Sequence, residues 1–155
     1  MMPEFDVSVF KQTRDYNCAA GAVSYFVWAH SGLVLNVETV TRKLGCDPET
    51  GTTYSSVVGY LDYLFRYDGI HLVHGHNTEL HEFTLPMIVR YWDEDETHYG
   101  VVTELSITQN TGSSLFMYDP WVGEGVVKDW EEFVSNWYTP LYGKHWGLYI
   151  ARKGN

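Results

Sequence analysis

Cysteine is scarce: only Cys18 and Cys46 occur among 155 residues. Two thiols make no disulfide scaffold, and no Cys-x-x-Cys pair is available for zinc. Basic residues are few as well, with ten Lys and Arg against twenty Asp and Glu and a net charge of −10. That balance excludes the clustered positive charge that grips phosphate backbones or anionic lipid, so neither nucleic acid nor membrane is an expected partner. No apolar run approaches the ~18 residues of a membrane span. The start, Met1-Met2-Pro3-Glu4-Phe5-Asp6, lacks the apolar stretch of a signal peptide, and the expected compartment is the cytoplasm. Charged residues are only 19% while Trp, Tyr and Phe reach 16%, which excludes a disordered chain. With no repeat, low-complexity tract or linker, residues 1–155 read as one domain.

What is present falls into two textures. The first half reads as helices: Cys18 to Ser31 with Asn17 as N-cap and Gly32 as stop, Val37 to Leu44 between Asn36 and Gly45, and a third from Thr52 or Thr53 to about Phe65, ended near Asp68-Gly69. The second half reads as strands: Ile70 to His74, Leu85 to Trp92, His98 to Leu105, Leu115 to Tyr118 and Trp146 to Ala151. One helix, Lys128 to Trp137, interrupts them, its early acids matching the positive end of the dipole. Helices followed by an antiparallel sheet predict an α+β fold of two lobes, with a cleft between them. Trp28, Trp92, Trp130 and Trp137 sit at periodic apolar positions and are expected in the core. Trp121, after Asp119-Pro120, is expected to wall the cleft.

Cys18 starts the first helix, where unpaired N–H groups and the dipole favour thiolate. Its neighbours Asn17 and Ala19 are small enough to let a substrate backbone approach. A cysteine nucleophile needs a base and an orienting partner. His98, at the start of an apolar strand, is the first candidate base, and His145 the second. Asp119, ending a strand before Pro120, is the candidate orienter. Gln12 offers a side-chain NH2 that, with the Cys18 N–H, can hold an oxyanion. Cys46 follows Gly45 in a helix-ending turn and reads as a bystander, with a Cys18–Cys46 disulfide left open.

These residues resemble a known family. Gln12-Thr-Arg-Asp-Tyr-Asn-Cys18-Ala-Ala-Gly resembles the active-site start of papain-like cysteine peptidases, closest to the bacteriocin-processing, double-glycine-type peptidases and their stand-alone relatives. Gly51-Thr52, His98-Tyr99-Gly100-Val101-Val102, Tyr118-Asp119-Pro120-Trp121-x-Gly123 and the helix at Asp129 to Trp137 are similar to further family segments, in family order. Ala19 stands where many members carry Gly. The resemblance implies a papain-like fold, an N-terminal helical lobe packed on a C-terminal antiparallel sheet. It implies Cys18 as nucleophile, His98 as base and then acid, Asp119 as orienter and Gln12 as oxyanion donor, acting on a peptide or isopeptide bond of a peptide or protein substrate. Transfer to another amine stays open. No cofactor or metal is expected.

Two rivals stand beside this. A catalytically inactive papain-like domain would bind a peptide or protein without cleaving it. In the run His71-Leu72-Val73-His74-Gly75-His76, His74 and His76 would share a strand face and His81 would complete three nitrogen ligands, but no carboxylate or Cys lies at a zinc spacing, and surface histidines are the simpler expectation.

Overall fold

A computed structural model describes residues 5–49, 51–66, 70–77, 84–93, 96–106, 112–137 and 145–152. A 3₁₀ turn at Val7–Phe10, capped by Asp6 onto the Ser8 N–H at 3.0 Å, precedes the first helix and buries Phe10 completely. Four helices follow among the described residues: α1 (Cys18–Ser31), α2 (Val37–Leu44), α3 (Tyr54–Leu64) and, late in the chain, α4 (Trp130–Asn136). α1 is buried on nearly every side, which its run of Ala19, Ala20, Gly21 and Ala22 permits. It ends at Gly32, whose φ of 75° lies in the left-handed region where glycine is unstrained.

The caps follow the sequence at α2 and α3; Asp129, expected inside the last helix, instead caps α4, and α1 departs as well. Asn36 accepts from the Thr39 N–H at 3.2 Å, Thr53 from Ser56 at 3.3 Å and Asp129 from Glu132 at 3.0 Å. Asn17 holds the N-cap position of α1 but makes no side-chain cap bond. Its oxygen accepts from the Arg14 N–H at 2.8 Å and its NH2 donates to the Thr13 and Thr41 hydroxyls, each at 3.0 Å. It therefore ties the loop before Cys18 to α2. Asp68-Gly69, expected to stop α3, lies outside the described residues.

Six antiparallel strands form one sheet among the described residues: β1 (Ile70–Asn77), β2 (Met87–Asp93), β3 (Glu96–Ser106), β4 (Ser114–Asp119), β5 (Glu124–Asp129) and β6 (His145–Arg152), in spatial order β1-β6-β2-β3-β4-β5. Five were expected. β5 was not, because Glu124-Gly125 opens it and only Val126 and Val127 are β-branched. A tight turn creates it: the Val122 and Gly123 N–H groups donate to the Asp119 carbonyl, and Asp119 pairs with Glu124. Lys128 and Asp129 consequently belong to β5, and α4 starts two residues later than expected.

Both faces of the sheet are covered. Ile88, Tyr99, Val101, Tyr118 and Leu148 pack towards α1–α3, with Phe26 and Val57. Met87, Val89, Tyr91, Val102 and Met117 pack with Phe133 and Trp137 around α4. Tyr25 of α1 stacks on Tyr118 with ring centroids 4.2 Å apart. Trp137 is buried, and Trp28 and Trp130 are partly buried against these clusters. Trp92 corrects the expectation: it is 44% exposed, because its side chain alternates away from the α4 core at the end of β2.

One close approach fixes the start of α1 against the β4–β5 turn. A Cβ at Gly21 would lie 2.6 Å from the Phe10 carbonyl oxygen and 2.7 Å from Pro120 Cβ. Only glycine admits both. The Gln12 N–H donates to the Pro120 carbonyl at 2.8 Å, sewing the same three segments together.

Candidate active site

Cys18 is the first residue of α1 and is 9% exposed. Burial pushes its thiol above the ordinary value; Cys46 adds to this, while the Tyr99 and Ala19 backbone N–H groups and the Arg90 charge pull the other way. The helix start alone predicted a favoured thiolate. Desolvation is the larger effect here, because α1 enters the core at its first turn. Tyr99, whose N–H favours the thiolate, directly follows His98 on β3. Cys46 is half-buried, takes a hydrogen bond from the Thr52 hydroxyl at 2.9 Å, and has its thiol raised by burial too. Both cysteines are free, so the disulfide left open by the sequence is not formed.

His98, third residue of β3, is the hinge between two cavities. One, of about 740 Å³, is lined by Cys18 and His98 with Arg14, Thr52, Arg90 and Trp92 among others. The second, of about 550 Å³, is lined by His98, Asp119, Trp121, Tyr91 and the carboxylates of Asp15, Asp93 and Glu96. The structure thus brings Cys18 and His98 to one cavity and His98 and Asp119 to the next. Asp119 closes β4, and its Oδ1 accepts from the Trp121 N–H at 2.9 Å. Among the described residues, the carboxylate at ion-pair distance from the His98 ring is that of Asp93, with Oδ2 4.0 Å from Nε2.

A family model described as the peptidase C39 family matches residues 6–141. The chain belongs to that family. Among solved structures, it is similar to the peptidase domain of Streptococcus ComA, a bi-functional ABC transporter involved in a quorum sensing pathway, with a TM-score of 0.70, 19% identity, and 92% of this chain and 96% of that one covered. It is also similar to a double glycine motif protease from an AMS/PCAT transporter, solved in complex with the leader peptide, with a TM-score of 0.68, 17% identity and coverages of 92% and 89%. At these identities the likeness shows the fold, and it is the papain-like helix-and-sheet fold that the sequence motifs implied. No curated protein matches the chain. No helix among the described residues is long and apolar enough to cross a membrane.

The other expected site residues of this C39-family chain are distributed unevenly. Gln12 is 7% exposed; its Nε2 donates to the Arg14 carbonyl at 2.7 Å, while its Oε1 is buried without a hydrogen-bond partner. It does not line either cavity. An amide nitrogen carries two hydrogens, so one N–H of Gln12 is engaged by Arg14 and one is left. Asn17 and Ala19, expected at the substrate, are 0% and 1% exposed, so neither side chain presents a surface to it. Asn17 is instead consumed by its loop bonds, and Ala19 by the α1 core. Trp121 is 53% exposed at the second cavity. His145 opens β6, and His71, His74 and His76 lie on β1; only their backbones are described, and His81 lies outside the described residues.

Sequence reasoning missed Arg90, Tyr91, Trp92 and Asp93. The acidic stretch Asp93-Glu94-Asp95-Glu96 between two apolar runs is a hairpin signal. Folding that hairpin sets Tyr91 opposite His98 and would have brought the end of β2 to the site.

Proposed function

We propose that this chain is a cysteine peptidase in which Cys18 is the nucleophile and His98 the general base and then acid. The observation that carries the reading is that Cys18, at the first turn of a helix, and His98, near the start of β3, line one cavity in a C39-family chain. Burial disfavours an isolated thiolate, so the sulfur becomes charged only when His98 takes its proton and forms an ion pair with it. The thiolate then attacks the carbonyl carbon of the scissile bond. The Cys18 N–H and the second Gln12 N–H hold the negative oxygen that develops. His98 gives its proton to the leaving amine, a thioester remains on Cys18, and water, deprotonated by His98, releases the acid and restores the thiol. Asp119 orients the imidazole, and Trp121 walls the leaving-group side. The substrate class is a peptide, as for the leader-peptide complex of the similar protease.

A second reading, a catalytically inactive peptide-binding domain, draws on one observation: the Cys18 thiol is buried and raised, and Gln12 is turned to Arg14. Hydrolysis of a peptide library separates the two. We expect cleavage by the native chain and none by Cys18→Ala. Peptide binding without cleavage by both would establish the second reading.

A further inference from the structure

His98 lies on β3 between two strands, and each neighbour brings a carboxylate towards it. On one side Tyr91 is opposite His98 and Asp93 opposite Glu96, so Tyr91, Asp93 and His98 share a face. On the other side Val101 is opposite Tyr118; one further step in that register sets Asp119 level with Gly100, on the face of His98. Yet it is Asp93 whose Oδ2 stands 4.0 Å from His98 Nε2, while an Asp119 oxygen is engaged by the Trp121 N–H. A ring nitrogen facing a carboxylate carries the proton, which leaves the opposite nitrogen as the acceptor. At 4.0 Å the two groups are an ion-pair contact without a hydrogen bond; an Nε2–H directed at Asp93 would leave Nδ1 to receive the Cys18 proton.

We propose that Asp93 is a second positioning residue for His98, fixing the Nε2–H tautomer from the β2 side and steadying the positive charge that the ring acquires when Cys18 ionises. The inference rests on the reading of Cys18 and His98 as the reacting pair. Other groups share the two cavities with this ring. Tyr91 on β2, Glu96 on β3, Asp119 on β4 and Asp15 before α1 line the second cavity with it. Cys18, Arg14, Glu49 and Arg90 line the first. The Asp93 side chain is 68% exposed, so water and salt screen its pull, and its effect is modest and salt-dependent.

The test uses the full chain, with ring nitrogen shifts of His98, identified by their loss in His98→Ala, and with the iodoacetamide rate at Cys18. In Asp93→Ala we expect the neutral ring to gain Nδ1–H tautomer and Cys18 alkylation near neutral pH to slow about threefold, the scale of an exposed ion pair. High salt should erase the difference, and Asp93→Glu should restore most of the rate. Asp93 is exposed and at a strand end, so a folding defect is not at issue. Unchanged ring shifts or an unchanged rate in Asp93→Ala overturns the proposal. If His98→Ala leaves alkylation of Cys18 unaltered, the paired reading itself fails, and the ring shifts still decide whether Asp93 holds His98.

Discussion

Gln12 illustrates how far a single residue can be read. Its spacing from Cys18 was legible as a motif. Its actual bonds were not, because they depend on a loop carbonyl, Arg14, that only the folded chain brings within 2.7 Å. In the proposed reaction its free N–H turns to the oxyanion, and Gln12→Ala should lower kcat by about 10²–10³ with little change in KM, as measured on any peptide the native chain cleaves. An equal loss of kcat/KM through KM alone would assign Gln12 to ground-state binding. Cys18 and His98, which line one cavity, were legible as candidates because each sits near the end of a regular element, where sequence patterns are sharpest. Asp93 was not, since its meaning comes from pairing across a hairpin rather than from its neighbours in the chain.

Among the elements, α1, α2 and α3 were readable because apolar periodicity is bounded by Gly32 after α1, by Asn36 and Gly45 around α2 and by Thr53 before α3. β5 and the start of α4 were not, since a strand with glycine at its second position and stabilised by its partner carries little local signal. The contact that aligns the site is also non-local: α1 meets the β4–β5 turn at Gly21. An Ala side chain there must displace Phe10 or Pro120, both backbone-anchored, and overpacking of this kind costs about 1–3 kcal/mol. Gly21→Ala should lose that much in urea unfolding and should alkylate differently at Cys18. Undiminished stability would show that the turn moves freely away from the helix.

Over the whole molecule, the helices-then-sheet architecture followed from composition and period, whereas the covering of the sheet on its second face by α4 did not, because a seven-residue helix leaves little trace of which side it takes. Burial raises Cys18 and Cys46 above the ordinary thiol range and Tyr25, Tyr60, Tyr91 and Tyr118 above the ordinary phenol range. Groups raised on folding contribute stability that is complete below their unfolded values and lost as pH climbs through their folded ones. Unfolding free energy should therefore fall from about pH 8 upward, with Tyr91→Phe flattening part of the fall. A flat alkaline profile would contradict the burial assigned to these side chains.

The net charge of −10 and the four carboxylates around the second cavity suit a neutral or basic leaving group. The proposed chemistry, though, rests on Cys18 and His98. Its most direct measurement is the rate of Cys18 alkylation by iodoacetamide at about pH 6, where an ordinary thiol of pKa ~8.5 is almost wholly protonated. Cys18 should react at least about tenfold faster in the native chain than in His98→Ala, and ahead of Cys46. Equal rates in the two proteins, or Cys46 reacting first, would contradict the paired nucleophile.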